Sequence, residues 1–365
     1  MRRTIGASEG SSIYLLGICA GSILSTFLAL ILRATGAIGA SFDGMDVYSW
    51  CGYALMQVGF ICTVLIYSKV RKYDLVCVAK IKGKLNAVQI VILPFIAIAT
   101  ILVFLPLANA WTAFLNVIRY SGASVAKPDY SNVGIYFLSL LLMAVLPALG
   151  EELLIRGSLF PALSTRNVWF GILMSALMFS LMHANPLQTV HQFGLGIVLA
   201  LVVAISGSLW ASVIVHFVNN FISITLTAYL PQVDAIYEKL GYFNFLTGFA
   251  SVVVGLVLLV VLLYAFYRAG KPKSARGEVK SVYEEDGFTI VATANESTND
   301  NFFKGLSKFI GSLFKKSGWK KITYSLEESN EVEYIGKSQN MVGVWIALAF
   351  VCVYWLYGFI SGMIV

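Results

Sequence analysis

Charge is what this chain has least of. Asp, Glu, Lys and Arg together make up 12% of its 365 residues, while 58% are hydrophobic. Soluble domains carry about 25% charged residues. So few charges cannot cover a water-facing surface, which excludes a secreted domain, a disordered chain and a soluble nucleic-acid binder. Cysteine is also scarce. Cys19, Cys51, Cys62, Cys77 and Cys352 show no CxxC spacing, and all but Cys77 lie in apolar runs. Neither a disulfide framework nor a zinc cluster follows from them. Internal repeats and a glycine-rich nucleotide-binding motif are missing too, which argues against solenoids and nucleotide enzymes. What remains is hydrophobicity, with a mean hydropathy of +0.79. That value implies an all-α, polytopic integral membrane protein with the bilayer as its main solvent.

Stretches of about 20 apolar residues stand at Ile13 to Leu32, Val47 to Tyr67, Leu85 to Ala108, Phe245 to Tyr267 and Met341 to Val365. Four less tidy segments lie between them: Tyr136 to Leu163, Val168 to His183, Val190 to Ser206 and Leu209 to Leu230. The expectation is about nine transmembrane helices. Met1-Arg2-Arg3 precedes a first apolar run too long for a signal-peptide core, so that run reads as a retained helix. The net charge of +7 reads as cations held in cytoplasmic loops. Arg2 and Arg3, the run from Lys69 to Lys84, Arg166, and Arg268 to Arg276 share one side if the N-terminus is cytoplasmic. The loops Ala34 to Asp46 and Pro231 to Phe243 carry almost no Lys or Arg, and the C-terminus then falls on the opposite side. Arg33, Arg119, Lys127 and Lys239 are the exceptions.

This gives N-terminal transmembrane helices over 1–131, a core over 132–230, an eighth transmembrane helix in 231–269, a cytoplasmic polar segment over 270–340 and a last helix over 341–365. Within the polar segment, Asn301 to Ile322 places Phe302, Phe303, Leu306, Phe309, Ile310, Leu313 and Phe314 at helical spacing among six lysines. Such a basic amphipathic helix suits an anionic lipid surface, the alternative being a helix docked on the protein's own loops. Asn295-Glu296-Ser297 fits a glycosylation pattern, but its predicted cytoplasmic side makes it irrelevant.

The chemistry begins at Gly150-Glu151-Glu152-Leu153-Leu154-Ile155-Arg156, after an apolar run. Ionisable side chains at membrane depth cost about 2.5 to 3.5 kcal/mol each on insertion scales, so three together need a reason. At 100° per residue Glu152 and Arg156 share a face and can neutralise each other, which leaves Glu151 free for chemistry. The bland alternative ends the helix at Gly150 and makes the charges a solvated cap. Depth opposes it, because His183, some fifteen residues into the next helix, would then lie roughly 22 Å from Glu151's level. A helix that runs on to about Leu163 instead puts Glu151, His183, His216 and Asn220 in one band. Phe179 and His183 are one turn apart in an apolar span, as are His216 and Asn220. Intramembrane ionisable residues are functional by default. His191, beside Gln188 and Gln192 at a helix start, reads as structural.

The ordered set of EExxxR (Glu151, Glu152, Arg156), FxxxH (Phe179, His183) and HxxxN (His216, Asn220) resembles the CAAX-protease and bacteriocin-processing family of intramembrane proteases, the group with the type II CAAX prenyl proteases. The resemblance covers about Val133 to Tyr229. It implies an endopeptidase acting on membrane-associated or lipidated peptides, with Glu151 as the base activating water. His183 and His216 would hold or polarise the reacting centre, and Asn220 would stabilise the oxyanion. A Zn²⁺ ion held by His183, His216 and Glu151 in a His₂Glu arrangement is the other possibility, and the sequence leaves both open. A secondary transporter could also bury Glu, His and Arg, but it often shows inverted repeats or broken helices, and neither is found here. A non-catalytic membrane binder or immunity factor of the same fold would not need the full set of acid, imidazole and amide.

Overall fold

A computed structural model describes residues 5–122, 128–165, 167–229, 245–270, 281–283, 290–292, 302–315, 318–319 and 340–364. Eight helical segments among these are long and apolar enough to cross a membrane. The first two are α1 (Ala7–Ala34) and α2 (Val47–Arg71), joined by a loop holding the strand pair β1 (Ser41–Phe42) and β2 (Met45–Asp46). Asp46 caps α2 by accepting from the Ser49 amide. A single turn, α3 (Leu75–Val78), leads to α4 (Ala87–Val117), which opens with a capping box formed by Asn86 and Gln89.

The motif-bearing span is one continuous rod over 133–164 with two widened turns. It comprises α5 (Val133–Ser139), a π turn (Leu140–Val145), α6 (Leu146–Leu154), a second π turn (Ile155–Leu159) and α7 (Phe160–Ser164). The helix thus runs through Gly150 and past the acids. The span expected at Val168 to His183 is α8 (Val168–Leu181), a fourteen-residue helix shorter than the eight others. It turns at Met182–Gln188 into α9 (Thr189–Ser206), and α10 (Leu209–Tyr229) follows. The last described helices are α11 (Phe245–Gly270), α12 (Phe302–Leu313) and α13 (Val342–Ile364). Ser281–Tyr283 pairs antiparallel with Ile290–Ala292.

Hydrogen bonds fix which helix ends lie together. At one end Arg71 pairs with Glu9 at 3.0 Å, the Asn86 side chain donates to the Ala269 carbonyl, and the Ser208 hydroxyl donates to the Gly83 carbonyl. This end carries Lys69, Arg71, Lys72, Lys80, Lys82, Lys84 and Arg268. At the other end the Ser121 amide donates to the Gly362 carbonyl, Asp129 to Asp43, and the Trp111 indole to the Pro186 carbonyl. Its described charges are Arg33, Asp43, Asp46, Arg119 and Asp129. Most of the described basic groups therefore gather at one end of the helical body, with Arg33 and Arg119 the two at the other. Arg2, Arg3, Lys127, Arg166, Lys239, the loop 231–243, Lys271, Lys273, Arg276, the Asn295 triplet and most of 270–340 lie outside the described residues.

The amphipathic helix expected over 301–322 is realised as α12. It docks at the basic end, where Phe309 is 3% exposed and packs against Tyr264 and Tyr267 of α11 at ring distances of 5.5 and 5.1 Å. The Trp169 indole donates to the Leu313 carbonyl. Phe303 and Phe314 stay exposed. Part of the apolar face is therefore used within the fold and part is presented outward.

Candidate active site

Close approach of backbones builds the site. Gly150 lets α2 come so near that an added Cβ would lie 2.5 Å from the Gln57 oxygen and 3.3 Å from the Gln57 Cα. From there the Gln57 amide donates to Glu151 Oε1 at 3.1 Å. The other oxygen of Glu151, Oε2, stands 4.0 Å from His183 Nε2 and 3.9 Å from His216 Nε2. Glu151 is 8% exposed, and His216 is 2% exposed.

The imidazoles are held from behind, which assigns their tautomers. His183 Nδ1 is 2.8 Å from the Phe179 carbonyl, one turn back. A carbonyl can only accept, so Nδ1 carries the proton and Nε2 of the neutral ring offers its lone pair. His216 Nδ1 is 2.9 Å from Glu152 Oε1, and a carboxylate imposes the same assignment. Both Nε2 atoms thus face the Glu151 carboxylate.

Arg156 supports this arrangement. Its Nη1 donates to Glu152 Oε1 at 2.9 Å and its Nη2 to the Gly196 carbonyl at 3.0 Å. Its guanidinium carbon lies 4.5 Å above the Phe179 ring. That ring also meets His183 and His216 edge-on, at 5.0 and 5.8 Å. Glu152 and Arg156 are fully enclosed, consistent with the i,i+4 pairing read from the sequence. Arg156, Glu152 and His216 therefore form one hydrogen-bonded chain, and Glu151 stands outside it.

Asn220 is placed one turn beyond His216, and its hydrogen bonds go to other partners. Pro147 has no N–H to give to the Met143 carbonyl four residues back, and the Asn220 amide donates there instead, at 3.2 Å. The Asn220 oxygen accepts from Asn219 at 3.2 Å. One Asn220 amide proton is thus engaged at the widened turn, which leaves the second for other work. His191 stands near Asn219 and within electrostatic range of His183. Sequence reasoning missed Gln57 and the Gly196 carbonyl. A lone Gln within the apolar run Val47 to Tyr67 was the available signal for the first.

Metal fit is tested by these distances. With bonds of about 2.0 to 2.1 Å, neighbouring ligand atoms on tetrahedral Zn²⁺ lie roughly 3.3 Å apart. The separations of 3.9 and 4.0 Å are too wide for that. Among the described residues no group of three or more His, Cys, Asp or Glu side chains is arranged to hold a metal ion. A water oxygen about 2.8 Å from each of the three atoms matches the same separations.

Residues 133–222 match the family model for type II CAAX prenyl endopeptidase Rce1-like proteins. The match takes in roughly a quarter of the chain and all three motifs. The motif-bearing core is thus similar to type II CAAX prenyl endopeptidases, within a chain whose eight long apolar helices make it a multi-pass membrane protein. No curated protein and no solved structure matches the chain.

Proposed function

We propose that this protein is an intramembrane endopeptidase that hydrolyses a peptide bond with a water activated by Glu151. The observation that carries this reading is the convergence of Glu151 Oε2 with two imidazole Nε2 atoms at 3.9 and 4.0 Å, each imidazole fixed through its Nδ1. A water at their common point gives a proton to Glu151 and directs an oxygen lone pair at the scissile carbonyl. Glu151 then passes that proton to the leaving amine, so the peptide C–N bond breaks as the new C–O bond is kept. The imidazole Nε2 lone pairs accept the water's other O–H and orient it, and developing charge on the carbonyl oxygen is met by the second amide proton of Asn220. Gln57 keeps the carboxylate turned toward the histidines. No step is routed through zinc.

The test is cleavage of lipidated CAAX peptides and of membrane-bound propeptides by the purified protein, with and without a chelator. Cleavage that persists under chelation is expected. Loss restored by added Zn²⁺ would replace the water mechanism with a metal one, and absence of cleavage from every substrate, in a folded preparation, would count against the protease.

For orientation, the excess of cations at the basic end supports a cytoplasmic position for that end. Cysteines placed at Lys80 and Ser281 should label from that side alone, and labelling of the two from opposite sides would refute it. The outward Phe303 and Phe314, with Lys304, Lys308 and Lys315, fit an anionic lipid surface. A peptide of residues 301–322 should gain helicity on anionic vesicles and release as salt rises, and unchanged circular dichroism with lipid would end that idea.

A further inference from the structure

One cavity among the described residues reaches the Glu151 carboxylate, with a volume of about 550 Å³. Its position follows from a helix crossing. α1 and α2 meet at Gly21 and Gly59, where a Cβ on Gly59 would lie 2.5 Å from the Gly21 nitrogen. Beyond that crossing, away from the basic end, lie Ser22, Ser25 and Thr26 of α1 with Tyr48 and Tyr53 of α2, and Tyr354 of α13 completes the wall. Met56, Phe60 and Met182 sit with Gln57, Glu151 and His183 in the same lining. Tyr48 is the second residue of α2, so the lining extends from the Glu151 carboxylate to the end opposite the cations.

The basic end is closed beneath the site. Ala79 packs with Ala148, Leu209 and Val213. The Lys80 carbonyl accepts from the Leu209 amide, the Ile81 carbonyl from the Trp210 indole, and the Gly83 carbonyl from the Ser208 hydroxyl. The loop between α3 and α4 is thereby tied across the start of α10, below His216.

We infer that the substrate enters from the end opposite the basic loops, between α1, α2 and α13, as an extended, uncharged peptide segment. This rests on the protease reading and adds to it the route and the class of substrate. From Tyr48 to Gln57 is nine residues of helix, a depth of about 13 Å, enough for roughly four extended residues. Hydroxyls on the wall can both donate to and accept from the amides of such a strand, which an acyl or isoprenyl chain could not use. The wall residues beyond the catalytic pair carry no charge, so a charged side chain entering would be desolvated without a partner. Met56, Met182 and Phe60 near the carboxylate offer an adaptable apolar seat for the side chain next to the scissile bond. With the basic end cytoplasmic, the peptide arrives from the non-cytoplasmic face.

Gly52 allows a direct test, since it lines the cavity and a Cβ there meets nothing within 4 Å. In a full-length chain freed of its five cysteines and reconstituted in sealed, oriented vesicles, Gly52→Cys should react with a charged, membrane-impermeant thiol reagent added at the α1–α2 loop face. The adduct obstructs near-attack geometry, so cleavage of a membrane-bound propeptide should fall by about 10²-fold. Thr26→Cys, at the rim, provides a second variant should the first fail to fold. Lys82→Cys, exposed at the basic end, should label only from the other face, and its adduct should leave cleavage unchanged. No labelling of Gly52→Cys and Thr26→Cys from the loop face, or full cleavage after labelling, overturns the route while the protease reading stands. If the unmodified chain cleaves nothing, the protease reading fails, and labelling alone still decides where the cavity opens.

Discussion

Glu151→Gln should reduce peptide cleavage by about 10² to 10⁴-fold, the usual cost of losing general-base catalysis, and leave the protein folded. The substitution keeps the size of the side chain, and an amide oxygen can still accept from Gln57, which donates to Oε1 at 3.1 Å. The Arg156 and Glu152 pair does not involve Glu151's carboxylate, so the buried hydrogen-bonded chain is untouched. What disappears is the proton acceptor facing the two Nε2 atoms. Expression, thermal stability and peptide binding should therefore match the parent protein. His183→Ala and His216→Ala should be comparably damaging to turnover. Undiminished cleavage by Glu151→Gln would remove Glu151 as the base, and full activity of all three single variants would remove the site itself.

That division of labour between adjacent glutamates could be read from the sequence because helical periodicity alone puts Glu152 and Arg156 on one face. The helical class and the succession of spans were legible for the same reason: apolar runs of bilayer length carry their own signal. The contacts that finish the site are of another kind. Gln57 meets Glu151 across 94 positions of sequence, and nothing local announces that pairing. The engagement of Asn220 with Met143 depends on a carbonyl freed by Pro147 and on a π turn, where the helical period is broken. Periodicity arguments assume regular turns, so they cannot place residues across such a widening. α8 ends at Leu181, short of a full span, where the chain turns through left-handed Ala184 ahead of Pro186, and His183 in that turn is held by the Phe179 carbonyl. The cavity's direction was equally hidden, because it is set by the crossing of α1 and α2 rather than by any residue of the three motifs.

Glu152→Gln should behave unlike Glu151→Gln, because it strands a charge. Arg156 is buried, and its guanidinium has one carboxylate partner, at 2.9 Å. Breaking a buried pair by removing one partner destabilises by roughly 3 to 5 kcal/mol. Lower expression and a lower unfolding temperature are therefore expected. Changing Arg156 to Met at the same time removes the orphaned charge and fills similar volume, so stability should largely return. Activity should not return with it. Glu152 also holds His216 Nδ1 at 2.9 Å, and an amide can face that nitrogen with either its oxygen or its NH₂ group, so the tautomer that points the Nε2 lone pair at Glu151 is no longer enforced. The double variant should be a stable protein with depressed kcat and a nearly unchanged KM, since the lining between α1, α2 and α13 is intact. If the double variant regains full turnover along with its stability, Glu152 serves only to neutralise Arg156, and the hydrogen-bonded chain from Arg156 through Glu152 to His216 has no catalytic part.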